Sequence, residues 1–193
     1  MSLTTMDEKP ALIIIDLQKG MSGFNMAHPF DEIVGRSRQL ADAFRERGLP
    51  VVLVNVSGFP PGRTDTQKAR RASGFTPSFP DDWTEIVDEL DPQDSDLRVT
   101  KQASGAFSNT GLAETLSAHG VTQVVVTGVA TSIGVESTAR QAHDNGLNVV
   151  LVTDAMTDVN RIAHDGSITH VFPMLGESAT TEDILMGLTD MDA

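Results

Sequence analysis

The chain has 193 residues, 39% hydrophobic and 21% charged, a length and balance that fit one soluble domain able to bury a sizeable core. Its 27 acidic residues against 14 basic ones, a formal net charge of −13, argue against a nucleic-acid partner, which would require a basic face. It has no cysteine, which removes disulfides, thiolate metal sites and thiol nucleophiles together.

The opening MSLTTMDEKP lacks the basic-then-apolar pattern of a signal peptide. Residues 1–9 are expected to be a flexible N-terminus, and the chain cytoplasmic with no membrane partner. Short Val- and Ile-rich runs then predict strands at Ala11–Ile15, Pro50–Val56, Leu97–Thr100, Thr122–Thr127 and Asn148–Thr153, with a weaker sixth at His170–Leu175. Their near-continuous hydrophobicity fits central strands covered on both faces. Between them, Asp31–Arg47 carries a helical stripe through Ile33, Val34, Ser37, Leu40, Ala41 and Phe44, closed by Gly48 as a C-terminal cap. Residues 57–82, rich in Gly, Pro and Ser without periodicity, predict one long active-site loop. Leu112–His119 is a further helix ending at Gly120. After Gly134, Val135, Thr138, Ala139 and Ala142 share one helical face, and Thr180–Asp183 reads as a helix N-terminus with acids in its first turn. Strand–helix alternation of this kind predicts one α/β domain over residues 1–193, a Rossmann-like three-layer α/β/α sandwich with a mostly parallel sheet of about six strands.

Ligands of such sheets bind at the carboxyl ends of the strands. Those ends are Asp16, Ser57, Lys101, Gly128–Gly134 and Asp154. Asp16 follows four apolar residues, so its carboxylate must find a partner or shift its pKa upward. It reads as a catalytic group, a helix cap or half of a structural ion pair, with Lys101 the natural counter-charge. Lys101 could equally reach to solvent. Gly134 allows close backbone approach or simple helix packing, and Thr131 and Ser132 read as helix caps. Arg63, Lys68, Arg70 and Arg71 form either an anion clamp or a solvated loop. No histidine stands where it would serve a serine nucleophile, and no His and carboxylate fall at metal-ligand spacing, so neither a metal nor a cofactor is expected.

Three stretches, ALIIIDLQKGM, VTKQASGAF and VVVTGVATSIGVESTARQAHDNGLNVVLVTDAMTD, resemble the isochorismatase-like hydrolase superfamily in order and spacing. The resemblance runs from about Ala11 to Leu188. It implies an aspartate and a lysine at Asp16 and Lys101, a cis peptide at Val129–Ala130, and glycine, Gly134, where the family's amidases carry their cysteine. Thioester chemistry is thereby excluded. The family's isochorismatases also have glycine there and hydrolyse a vinyl ether with an aspartate as general acid, which casts Asp16 as the acid, Lys101 as the anion holder and Gly134 as the space-maker. Ala130 stands where isochorismatases carry tyrosine, and the metal-binding cluster of nicotinamidases is missing after strand two. The expectation is a cysteine-less hydrolase of a small anionic metabolite, with substrate contacts from Arg63, Phe107, Val129, Ala130, Thr131, Ser132 and Ile133. The alternatives are a catalytically silent member binding a small ligand or a protein, or an amidase using activated water or Ser132. The resemblance further implies a homo-oligomer, a dimer or tetramer.

Overall fold

The computed structural model describes residues 3–58, 62–74 and 78–191. Its strands are β1 (Pro10–Ile15), β2 (Val51–Val56), β3 (Leu97–Lys101), β4 (Gln123–Val129), β5 (Asn148–Thr157) and β6 (Glu177–Ala179). They form one sheet in the order β3-β2-β1-β4-β5-β6, and every pairing is parallel. The helices are α1 (Phe30–Glu46), α2 (Asp65–Ser73), α3 (Leu112–Ala118), α4 (Glu136–Asp144), α5 (Arg161–Gly166) and α6 (Thr181–Asp190). None is long and apolar enough to cross a membrane.

The sheet separates two apolar layers because its central strands are apolar on both faces. Leu12 and Ile14 face the layer that holds Leu40 and Phe44 of α1 and Ile184 and Leu188 of α6. Ala11, Ile13 and Ile15 face the other, with Leu112 and Leu116 of α3 and Ala139 and Ala142 of α4. Each Leu, Ile or Phe among them, fully buried, contributes roughly 1.5–3 kcal/mol. Helix α6 starts with a reciprocal cap: Asp183 N–H donates to Thr180 Oγ1 at 3.2 Å, and Thr180 N–H to Asp183 Oδ2 at 2.8 Å, satisfying donors that the first turn leaves open.

Three expectations are corrected. Segment His170–Leu175 is not a strand: it lies across a π turn (Ser167–Val171) and a 3-10 turn (Phe172–Met174). Pro173 has no N–H for a ladder, while Phe172 is fully buried as an anchor. The sixth strand is instead the short Glu177–Ala179. Residues 57–82 are not uniformly loop, because α2 forms within them. Its start is a T-x-x-Q cap in which Gln67 N–H donates to Thr64 Oγ1 at 3.1 Å and Thr64 N–H to Gln67 Oε1 at 3.4 Å. Residues 59–61 and 75–77 of that expected loop lie outside the described residues, as do residues 1–2 of the expected flexible N-terminus. Residues 4–7 are tied down: Asp7 N–H donates to Gln123 Oε1, Asp7 Oδ2 accepts from Thr122 Oγ1 and Asn148 Nδ2, and Met6 is buried.

Candidate active site

Strand β1 lies between β2 and β4, whose connections run to opposite sides of the sheet; ligands of open α/β sheets collect outside the strand ends at such a switch point. The chain leaves β1 at Asp16 with φ 51°, a left-handed conformation that aspartate tolerates better than bulkier residues. The turn is closed by Asp16 N–H to the Val54 carbonyl and Gln18 N–H to the Asp16 carbonyl, both 2.9 Å. Asp16 Oδ2 accepts from Lys101 Nζ at 2.7 Å, with both side chains buried. Oδ1 is also buried and has no hydrogen-bond partner among the described residues. Burial pushes the Asp16 carboxyl up to about 6, more than the adjacent Lys101 ammonium pulls it down. The two residues, 85 apart in sequence, meet here.

The opposite wall is the turn after β4. Gly128 has φ 110°, and a Cβ there would stand 2.1 Å from the Ile15 carbonyl oxygen; only glycine lets β1 and β4 approach this closely. The Val129–Ala130 peptide is cis. The Ala130 carbonyl accepts from Ile133 N–H at 3.0 Å and Val135 N–H at 3.1 Å, the wide π turn Thr131–Val135 of a type frequent at functional sites. Gly134 lies in that turn, beside Asp16. A methyl built on it would stand 2.9 Å from Ile15 Cγ2, 3.0 Å from the Val129 carbonyl oxygen and 3.2 Å from Asp16 Oδ2. Gly134→Ala is therefore expected to cost roughly 1–3 kcal/mol of stability by overpacking, measured by urea denaturation. A loss under about 0.5 kcal/mol would mean the turn yields freely.

The rest of the turn is held from the β5 side. Thr131 Oγ1 and His164 Nδ1 are 2.8 Å apart and buried, and burial first, then the neighbouring His28, hold the His164 pKa below its ordinary value. Ser132 N–H and Oγ both donate to Asp158 Oδ2, at 2.8 and 2.7 Å. The Ser132 hydroxyl is thus committed to Asp158 and not aimed at Asp16, which corrects the arrangement a serine amidase would need. Ile133 is 53% exposed. Asp154 does not end the fifth strand: β5 continues to Thr157 through a register shift opposite Val126–Gly128, so Asp158 occupies the strand end. Asp154 instead pairs with Arg36 at 2.7 Å and accepts from Thr181 N–H at 2.8 Å. Phe107 packs against the apolar layer beneath α3 and α4, its N–H donating to Gln141 Oε1. Arg63 is exposed ahead of α2, and among the described residues no contact joins it to Asp16 or Lys101.

Gln18 and Asp158 belong to the site without standing at a predicted strand end, and His164 supports the turn through Thr131 rather than serving a nucleophile. The signal for Gln18 was a polar residue two positions beyond a strand end, in IDLQ. Asp158 had none, because the overrun of β5 sets its position, and His164 is placed by α5.

The comparisons with known proteins match this geometry to a family. An isochorismatase domain matches residues 10–183. The chain belongs to the isochorismatase family. Among similar isochorismatase family proteins, YwoC of Bacillus subtilis is 38% identical over 180 residues, which is 92% of this chain and 93% of that protein. The solved structure of an isochorismatase family protein from Burkholderia thailandensis has a TM-score of 0.87 and 36% identity, over 97% of this chain and all 100% of that one. A more distant relative is the maleamate amidohydrolase of Pseudomonas putida, 26% identical over 187 residues, 93% of this chain and 86% of that protein. The isochorismatase family is one of hydrolases, amidases among them.

Proposed function

We propose that this isochorismatase-family protein hydrolyses a small anionic metabolite with Asp16 as general acid and water as nucleophile, without a covalent enzyme intermediate. The observation that carries this reading is the buried Asp16 carboxyl: its Oδ2 is held by Lys101 beside Gly134 rather than beside a nucleophile, its Oδ1 has no partner among the described residues, and burial raises its pKa to about 6. An acid of that pKa is protonated below about pH 6 and keeps a fraction of its proton toward neutral pH, so it lies near the operating range that efficient general acid catalysis needs. The reaction class that fits is vinyl-ether hydrolysis of the isochorismatase type. Asp16 protonates the terminal carbon of the enolpyruvyl group, and water adds to the resulting oxocarbenium carbon. That water returns a proton to Asp16, and the hemiketal collapses to pyruvate and the alcohol. Lys101 holds anionic charge beside the reacting group. The maleamate amidohydrolase, whose named substrate is itself a small carboxylate, supports the anionic class. Exposed Ile133, Val159 and Ile162 next to the site support a dimer or tetramer, since exposed apolar clusters mark interaction surfaces.

The test is pyruvate release from isochorismate, coupled to lactate dehydrogenase. Turnover by the wild type supports the reading, and its absence at high enzyme concentration overturns the vinyl-ether assignment in favour of another substrate or a silent binding protein. Ser132→Ala separates this mechanism from a serine amidase. With the hydroxyl committed to Asp158, the rate is expected to stay within about 10-fold, far short of the 10⁴-fold or greater loss on removing a nucleophile.

A further inference from the structure

Asp16 and Lys101 belong to strands that do not touch. In the order β3-β2-β1, β2 lies between them, and two strand spacings put their backbones about 10 Å apart. The 2.7 Å ion pair therefore depends on how the end of β2 is held against both neighbours. On the β3 side the ladder does this: Val56 pairs with Lys101, and Ser57 N–H donates to the Lys101 carbonyl at 3.0 Å. On the β1 side the ladder stops at Ile15–Val54, because Asp16 turns away in its left-handed conformation.

The Gln18 carboxamide fills the missing rung. Its Oε1 accepts from Val56 N–H at 2.8 Å, and its Nε2 donates to the Val56 carbonyl at 3.1 Å, as a backbone peptide unit would. The same Nε2 donates to the Trp83 carbonyl at 2.9 Å, joining the strap that runs antiparallel to residues 17–20 through the Gln18–Ile86 bridge. Gly20 admits that strap, since a Cβ on it would lie 2.9 Å from the Trp83 carbonyl oxygen. Gln18 is fully buried, and its one carbonyl and two N–H donors are all matched, leaving no orientation of the amide that serves as well. Its own backbone N–H closes the Asp16 turn. One side chain thus connects the acid's turn to the strand that carries the lysine's ladder partner.

We propose that Gln18 is a positioning residue for the Asp16–Lys101 pair, its carboxamide standing in for a sheet rung that fixes the left-handed Asp16 turn against β2. The inference rests on Asp16 being the working acid and goes beyond it by assigning what sets its geometry. Without the carboxamide, the Val56 N–H and carbonyl lose the partner that Gln18 gives them in the interior, while the Trp83 carbonyl keeps the Gly20 N–H, an arrangement that invites water at the end of β2.

The test is the titration of the Asp16 carboxyl by ¹³C NMR in the wild type, Gln18→Ala, Gln18→Met and Gln123→Ala. Gln123 is a matched control: it is a buried glutamine with side chain to backbone bonds at Thr5 and Asp7, at the opposite end of the sheet. Gln18→Met keeps side-chain volume, so a folded variant is in hand should the alanine variant unfold. Since burial is what raises Asp16, admitting water is expected to move its midpoint down by about one pH unit in the Gln18 variants and to leave it unmoved in Gln123→Ala. A Gln18 variant that loses stability yet titrates like the wild type overturns the inference, because that is what a merely structural glutamine would do. A wild-type midpoint at the ordinary carboxylate value instead removes Asp16 as the acid, whatever the variants show.

Discussion

Replacing Asp16 by asparagine is expected to slow pyruvate release from isochorismate by roughly 10²–10⁴-fold, the loss associated with a general acid. Asparagine is the right probe because it tolerates the left-handed backbone that Asp16 adopts and preserves shape while removing the transferable proton. The pH dependence gives a second, independent reading. A general acid works in its protonated form, so kcat/KM is expected to be level below the free enzyme's acid pKa, about 6, and to fall tenfold per pH unit above it. A profile that rises through that range would assign Asp16 the role of base. Equal rates for wild type and Asp16→Asn would take Asp16 out of the chemistry.

Stability should respond most to splitting the ion pair. Lys101→Met leaves the Asp16 carboxyl buried without its counter-charge, and breaking one partner of such a pair costs on the order of 3–5 kcal/mol. The sign with pH follows from linkage. Asp16 already titrates higher in the folded protein than in the unfolded chain, so the stability linked to its protonation is fully present below the unfolded value, 3.8, and is lost as pH rises through about 6. Removing the lysine raises the folded value further, so the deficit of Lys101→Met is expected to be small at pH 5 and large at pH 8. Asp16→Asn in turn leaves the ammonium unpaired. The double variant buries neither charge, and its urea-unfolding cost should fall well short of the sum of the single costs. Strict additivity would mean the two groups do not sense each other.

The residues that lead here were visible because strand ends are. Apolar runs of Val and Ile locate the central strands, and an acid or a lysine placed immediately after one stands at the carboxyl edge whatever the details of packing. Gly134 was visible too, as a small residue in a turn between strand and helix. Asp158 was not, since a register shift opposite Val126–Gly128 lets β5 run four residues beyond its expected end at Thr153, and a shift of that kind leaves no mark in local composition. Helix α2 escaped for the opposite reason. Its sequence, DTQKARRAS, holds no large apolar residue, so no apolar stripe announces it, and only the Thr64–Gln67 cap marks its start. The strand Glu177–Ala179 is three residues long and its sequence, ESA, has no β character; its place is decided by pairing with β5.

The crowding around Gly134 has a consequence for what this scaffold can become. A site that had merely lost a cysteine would keep a hole of its size, and one codon change would return the thiol. Here Ile15 Cγ2, the Val129 carbonyl and Asp16 Oδ2 already occupy the surroundings of the missing Cβ. Trimming Ile15 to valine would not help, because valine keeps that methyl; alanine would clear it, at the usual 2–5 kcal/mol for hollowing a core. A side chain at 134 therefore has to displace these neighbours, and relieving the Ile15 contact by truncation is itself a harmful second change. A designer or a lineage restoring a thiol at 134 meets a barrier of packing, to which Asp16 itself contributes.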